Sequence, residues 1–176
     1  MALSGSYDYT RTGTQLIASA YRLLRIPAPT ALQQANALES LELILKALNS
    51  DGFNILFPWT QAWITQALVV GTASYTLNAK VMDVDRAFIR DTSNIDHPVN
   101  LISKDDYLSL GDKTVTSMPS QLWQNKQIAG TIIYLYPVPD DATDVLHMLV
   151  ANKLQDMDAA ANNIDLNAIW LRALKY

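Results

Sequence analysis

The sequence predicts an α+β fold: an N-terminal antiparallel helical hairpin, a central mainly antiparallel β region and a short C-terminal helix. Three observations carry that expectation. Apolar residues recur every three or four positions from 14 to 50. After Gly52 the period shortens toward two, and Gly, Pro, Ser, Thr and aromatic residues become frequent. From 166 the spacing is helical again. A single domain is expected over 1–176, with an arm at 1–13, the hairpin at 14–52, the β-rich region at 53–156 and the terminal helix at 157–176.

Residues 14–26 place Leu16, Ile17, Ala20, Tyr21, Leu23 and Leu24 on one broad helical face, and Pro27 stops the run. Thr30-Ala31-Leu32-Gln33 is a capping box, in which hydroxyl and amide satisfy orphan backbone donors reciprocally, so a second helix is expected from there to about Ser50. Its stripe is Leu32, Ala35, Leu38, Leu41, Leu45 and Leu48, and Asp51-Gly52 ends it. Strands are expected at 62–70, 81–90, 100–102 and 131–136, with Gly71 to Ser74 as a turn. The segment after the Pro137-Val138-Pro139 turn is expected to return beside 131–136 as a strand from Val145 to Leu154, although VLHMLVANKLQDM also fits a helix. Ser103 to Asp106 reads as the capped start of one helical turn ending at Gly111. LNAIWLRALKY, with Ile169, Trp170 and Leu174, closes the chain as an amphipathic helix.

Composition excludes several classes. The 176 residues are 49% hydrophobic and 17% charged, without a cysteine, so thiol nucleophiles, iron–sulfur clusters and cysteine zinc sites drop out. Thirteen Lys and Arg against seventeen Asp and Glu leave a net charge of -4, a poor grip on nucleic acid, which is held by neutralising its phosphates. The 27 uncharged residues from Phe53 to Ala79 are broken by Pro58, Thr60, Gln61, Thr65, Gln66 and Gly71. They lack the run of about 20 apolar residues that crosses a bilayer, so no membrane association is expected. The N-terminus has no basic head followed by an apolar stretch, so no secretory leader is expected either.

Phosphate loops, dinucleotide fingerprints, nucleophile elbows and HExxH zinc motifs are all missing from the sequence. No catalytic residue, metal ligand or cofactor is therefore expected. Asp96-His97 can be written as a base with its orienting carboxylate, yet a turn before Pro98 is the plainer reading. His147 lies in an apolar run where a half-buried or interface imidazole is expected. Asp105 and Asp106 read as complements to a helix dipole rather than as an acid–base pair. Trp59, Trp63 and Trp123 pose the question of a stacking platform for sugars or bases, but Tyr134 and Tyr136 alternate with Leu135 as a half-buried strand requires, which favours packing. Tyr7, Tyr9 and Arg11 form a polar aromatic arm too short to make a core, suited to ordering on a neighbour.

The helical pair ending in LNSDGFNIL (48–56) is followed by GTASYTL (71–77), AFIR (87–90), PVNLISKDDY (98–107), LGDK (110–113), MPSQLW (118–123) and LYPVPD (135–140). In this order and spacing the motifs resemble the adaptor, or head-to-tail connector, proteins of short-tailed bacteriophages, a group related to tail tubular protein A. The resemblance spans nearly the whole chain. It implies a non-enzymatic virion protein at the head-to-tail junction, assembled in the host cytoplasm, that packs as a ring, usually dodecameric. Its partners would be further copies of itself, the portal protein and the tail nozzle protein, with DNA passing through without specific binding. Tyr7, Tyr9, Arg11, Arg22, Arg25, Trp170 and Arg172 are the expected interface residues, and Asp83, Asp85, Asp91 and Asp96 the expected channel-facing acids. A carbohydrate-binding or other binding module of a virion tail is the alternative.

Overall fold

The computed structural model describes residues 10–26, 28–50, 60–127, 129–155, 159–164, 171 and 174. The chain divides into two compact units, one of Met1–Ile55 with Leu154–Tyr176 and the other of Leu56–Lys153. The architecture is mixed α+β, with a seven-stranded sheet in the second unit.

In the helical unit, α1 (Gly13–Leu23) and α2 (Ala31–Ser50) both start on capping boxes. The expected box at Thr30 is there: the Thr30 amide donates to Gln33 Oε1 (2.8 Å) and the Gln33 amide to Thr30 Oγ1 (3.3 Å). Thr12 and Gln15 repeat the arrangement at α1, moving its start to Gly13, one residue ahead of the expected position. The helix also stops earlier, at Leu23 rather than Ile26. Arg25 turns into the left-handed region (φ 61°), the Ile26 amide reaches back to the Tyr21 carbonyl and the Arg25 amide to that of Arg22. This is a Schellman ending, with arginine where glycine is usual. Pro27 follows the stop and does not cause it. The segment 160–164 lies against the start of α1, through Gly13 and Thr14 amides donating to Asn162 and Ala160 carbonyls and the Ile164 amide donating to Arg11. The stripe expected on α2 is only partly realised: Leu41 and Leu45 are buried and Leu38 half-buried, while Leu32 and Ala35 stand exposed. The terminal helix falls mostly outside the described residues.

The sheet unit holds β1 (Gln61–Ala67), β2 (Ser74–Thr76), β3 (Val81–Arg90), β4 (Asp96–Leu101), α3 (Lys104–Ser109), β5 (Gln121–Gln127), β6 (Gly130–Tyr136) and β7 (Val145–Asn152). The sheet order is β1-β7-β3-β4-β5-β6-β2, antiparallel throughout except for β4 beside β5. The sheet curls so that β3 also packs across the core against β5 and β6. Ile89, Leu122, Ile133, Leu135, Leu146, Met148, Val84 and Val150 fill that core. The β5–β6 connection ends at Gly130 (φ 144°), where a Cβ would stand 3.1 Å from the Leu77 carbonyl oxygen, so only glycine fits.

The strands expected at 62–70, 81–90, 100–102 and 131–136 all have counterparts, and 145–152 is strand rather than helix. One pairing differs from expectation: β7 does not return beside β6 but lies between β1 and β3. Both edges of β6 are already taken, by β5 and β2, and the Pro137–Pro139 segment bonds to 115–117 instead of folding back. Strands β2 and β5 were not expected. The first is three residues long, and QLWQNKQ of the second buries only Leu122.

Candidate functional site

The expected interface residues that are described lie in the helical unit. Arg22 and Arg25 are exposed at the C-terminal end of α1, where a cation complements the helix dipole. Beside them a groove of about 360 Å³ runs between α1 and α2, lined by apolar residues that include Leu16, Tyr21, Leu24, Leu41, Ile44 and Leu174. The Tyr21 hydroxyl donates to the Gln33 carbonyl (3.0 Å), tying one helix to the start of the other. Leu24, Leu32 and Leu43 are 68%, 72% and 62% exposed. Arg11 is half-buried where its carbonyl meets Ile164. Tyr7, Tyr9, Trp170 and Arg172 lie outside the described residues, as does Trp59.

The four acids belong to the sheet unit and form two pairs rather than one patch. Asp83 and Asp85 sit early in β3, Asp91 and Asp96 in and after the turn that follows it, so about 20 Å of strand separates Asp85 from Asp91 at 3.3 Å per residue. Each carboxylate is engaged. Asp83 meets Lys126 Nζ (2.7 Å), and Asp85 accepts from Gln61 Nε2 (2.7 Å). Asp96 holds the Arg90 guanidinium in a two-pronged contact (2.7 and 2.9 Å), which lowers its pKa below the usual carboxylate range. Asp91 accepts from the Ser93 and Ile95 amides (2.8 and 2.9 Å) and faces His97 Nε2 (3.0 Å), and these bonds, led by that of Ile95, lower its pKa as well. His97 therefore pairs with Asp91 and not with its sequence neighbour Asp96, and its ring bonds to no hydroxyl among the described residues. No group of three His, Asp or Glu that could hold a metal occurs among the described residues.

Two aromatic groups lie on the face of the sheet turned away from its core. At β5 and β6 α3 lays Tyr107 over Trp123 (5.2 Å between ring centres), and Trp123 stacks on Tyr134 (4.7 Å), its register partner. Burial raises the Tyr107 hydroxyl pKa. Trp123 and Tyr134 are half-buried beneath Tyr107, so this is packing and not a bare stacking platform. The sequence reading missed Tyr107, although the Ser103 capping box places it at the first inward-facing position of α3; Asp106 completes that box, as its dipole-complementing reading anticipates. At β1, β3 and β7 Phe88 stacks on His147 (4.9 Å), with Trp63 against it (5.5 Å) and the Arg90 guanidinium over its ring (5.4 Å). Trp63 is 56% exposed.

Among the described residues, no helix is long and apolar enough to cross a membrane. Residues 11–176 match the family described as SU10 adaptor protein. No curated protein matches the chain.

Proposed function

The chain belongs to the SU10 adaptor family, that is, to the phage structural adaptors, and from that premise we propose that it forms a dodecameric ring joining the portal to the tail and continuing the DNA channel. The match over 11–176 is the observation that carries this reading. The protein is then a virion component without enzymatic activity or cofactor, assembled in the host cytoplasm as a single adaptor domain. We read α1 and α2 as an antiparallel hairpin with the 166–176 segment packed back on it as a helix; the Tyr21–Gln33 bond and the presence of Leu174 in the groove support this. The arm residues Tyr7, Tyr9 and Arg11, together with Arg22, Arg25, Trp170 and Arg172, serve as contacts to the portal or to neighbouring copies. Exposed leucines beside exposed arginines suit such contacts, which combine apolar anchors with charge pairing.

Mixing the protein with the portal of its phage and weighing the product tests the reading. We expect a largely monomeric free chain and a ring only on the portal. A stable dodecamer without portal overturns the templating, and a chain never recruited overturns the adaptor reading. For the channel, a chain at -4 repeated around a ring repels duplex within about 8 Å, the screening length at physiological salt. No duplex binding is expected in an anisotropy titration at about 0.15 M salt, the condition of that screening length. Tight binding there overturns passage without grip and with it the channel-facing role of Asp83, Asp85, Asp91 and Asp96.

A further inference from the structure

The uncharged stretch 53–79, too polar to span a membrane, supplies both outer strands of the sheet, β1 at one edge and β2 at the other. A free edge presents a row of unpaired backbone N–H and C=O groups, and soluble proteins guard it with charge, proline or a bulge. On β1 these guards are missing, whereas β2 is guarded only by its shortness, three residues. Strand β1 has no charged residue and no proline, and it runs against β7 in unbroken register over seven residues. Strand β2 is equally uncharged. Charge sits instead on the interior strands, at Asp83, Asp85, Arg86 and Arg90 of β3, Asp96 of β4 and Lys126 of β5. Beyond β7, the β1 backbone meets only its own Gln66 side chain, which donates to the Ala67 carbonyl (2.9 Å), among the described residues. Even its core-side residues Ala62, Ile64 and Gln66 are only half-buried, as on a strand whose outer neighbour is missing.

We propose that neighbouring copies join by strand addition, the free edge of β1 in one copy pairing with the free edge of β2 in the next; this rests on the ring reading above. Charge matching selects the occupant, since strand pairing sets side chains opposite one another and these two edges oppose neutral to neutral. The faces match as well. Ile64 points toward the core from β1 as Tyr75 does from β2, while Thr65, Ser74 and Thr76 face outward, so the joined sheets keep their apolar sides together. The ring reading sets aside the simpler pairing: β1 against β1 makes a closed dimer and leaves β2 open, whereas β1 against β2 uses each edge once and propagates head to tail until a ring closes. With only three residues in β2 the contact is short, which fits a ring that needs the portal to hold it.

The chain has no cysteine, so disulfide trapping reads this contact without background. Copies carrying Thr65→Cys alone are mixed with copies carrying Ser74→Cys alone or Thr76→Cys alone, the two outward registers, and each mixture is oxidised in solution. Mixed disulfide dimers well above their statistical share in at least one mixture are the expected result. Mixed and like dimers in statistical proportion in both mixtures, or like Thr65→Cys dimers in excess, overturn the proposal. In the unmodified chain on its portal, amide exchange at 61–67 and 74–76 should slow at least tenfold relative to the free chain. A portal-bound ring with exchange unchanged at both edges overturns the strand pairing and leaves the ring reading standing. Failure to bind portal overturns the ring reading instead, and the mixed disulfides then decide the strand contact alone.

Discussion

In the sheet unit Leu146, Met148 and Val150 of β7 are fully buried, whereas on α2 Leu32 and Leu43 keep most of their surface in water. Both strand and helix are rich in apolar residues, so composition does not separate them. Neighbours do. β7 has a strand on each side and a curled sheet around its inner face, and its inward side chains share one core with buried residues of β2, β3, β4, β5 and β6. Helix α2 buries Leu41 and Leu45, and its remaining described apolar residues are partly or largely exposed. The sheet completes its core within one chain except at the β1 edge, where Ile64 stays half-buried. On the adaptor reading, the helices complete theirs against other chains.

Substitution at matched residues tests that contrast most directly. Met148→Ala deletes a fully buried side chain from the interior strand β7 and should cost about 2–5 kcal/mol, the range for large-to-small core changes, measured by denaturant unfolding. Leu32→Ala, at the exposed start of α2, should change stability by less than about 0.5 kcal/mol, as surface substitutions do, yet weaken recruitment to the portal. A large stability loss for Leu32→Ala, or a negligible one for Met148→Ala, would erase the distinction between the units.

The same contrast sets how much was legible in the sequence. Strand β3 was readable to the residue, because Val81, Val84, Ala87 and Ile89 are inward positions between a turn at Lys80 and a turn at Asp91. The capped turn at Ser103 and the box at Thr30 were readable because their bonds are local, three residues apart. Strand β5 was not, since one buried leucine among glutamines carries no period, and its place depends on pairing with β6 and β4. Partners of the acids were equally hidden: Asp83 finds Lys126 forty-three residues away, and Asp91 reaches past Asp96 to take His97. The bare edges of β1 and β2 emerge only once sheet order is known, although the stretch that makes them stood out as uncharged from the start.

A smaller effect is expected where α1 ends. Arg25 holds a left-handed backbone that costs a side-chain-bearing residue roughly 1–2 kcal/mol and glycine almost nothing. Part of that gain is returned through glycine's looser unfolded chain. Arg25→Gly should therefore stabilise the helical unit by about 0.5–1 kcal/mol, read from the thermal midpoint. If Arg25 is kept for its charge at an interface, the same variant is recruited less well by the portal while being more stable. A variant that is both more stable and equally well recruited removes Arg25 from the interface and sharpens the case for Arg22.

The weakest expected difference between the units is their response to acid, because surface carboxylates contribute little each. Every carboxylate with a displaced pKa among the described residues lies in the sheet unit. Asp91, Asp96, Asp112 and Asp141 are lowered by their hydrogen bonds, so each stabilises the fold above its unfolded pKa of about 3.9 and loses that contribution as pH falls through its lower folded value. Asp144 has the opposite sign. Burial, with Asp141, Asp91 and Asp140 nearby, raises its pKa, so the folded state takes up this proton before the unfolded one. Stability should rise slightly as pH drops from neutral through that raised value, level near pH 4 and fall below it. Asp144→Asn should remove the rise and keep the fall, measured by urea unfolding across pH 3–7. Amide exchange should place the acid loss at the Asp91–His97 turn and not on α1 or α2; if the helices loosen first, the acid response belongs to groups other than these five.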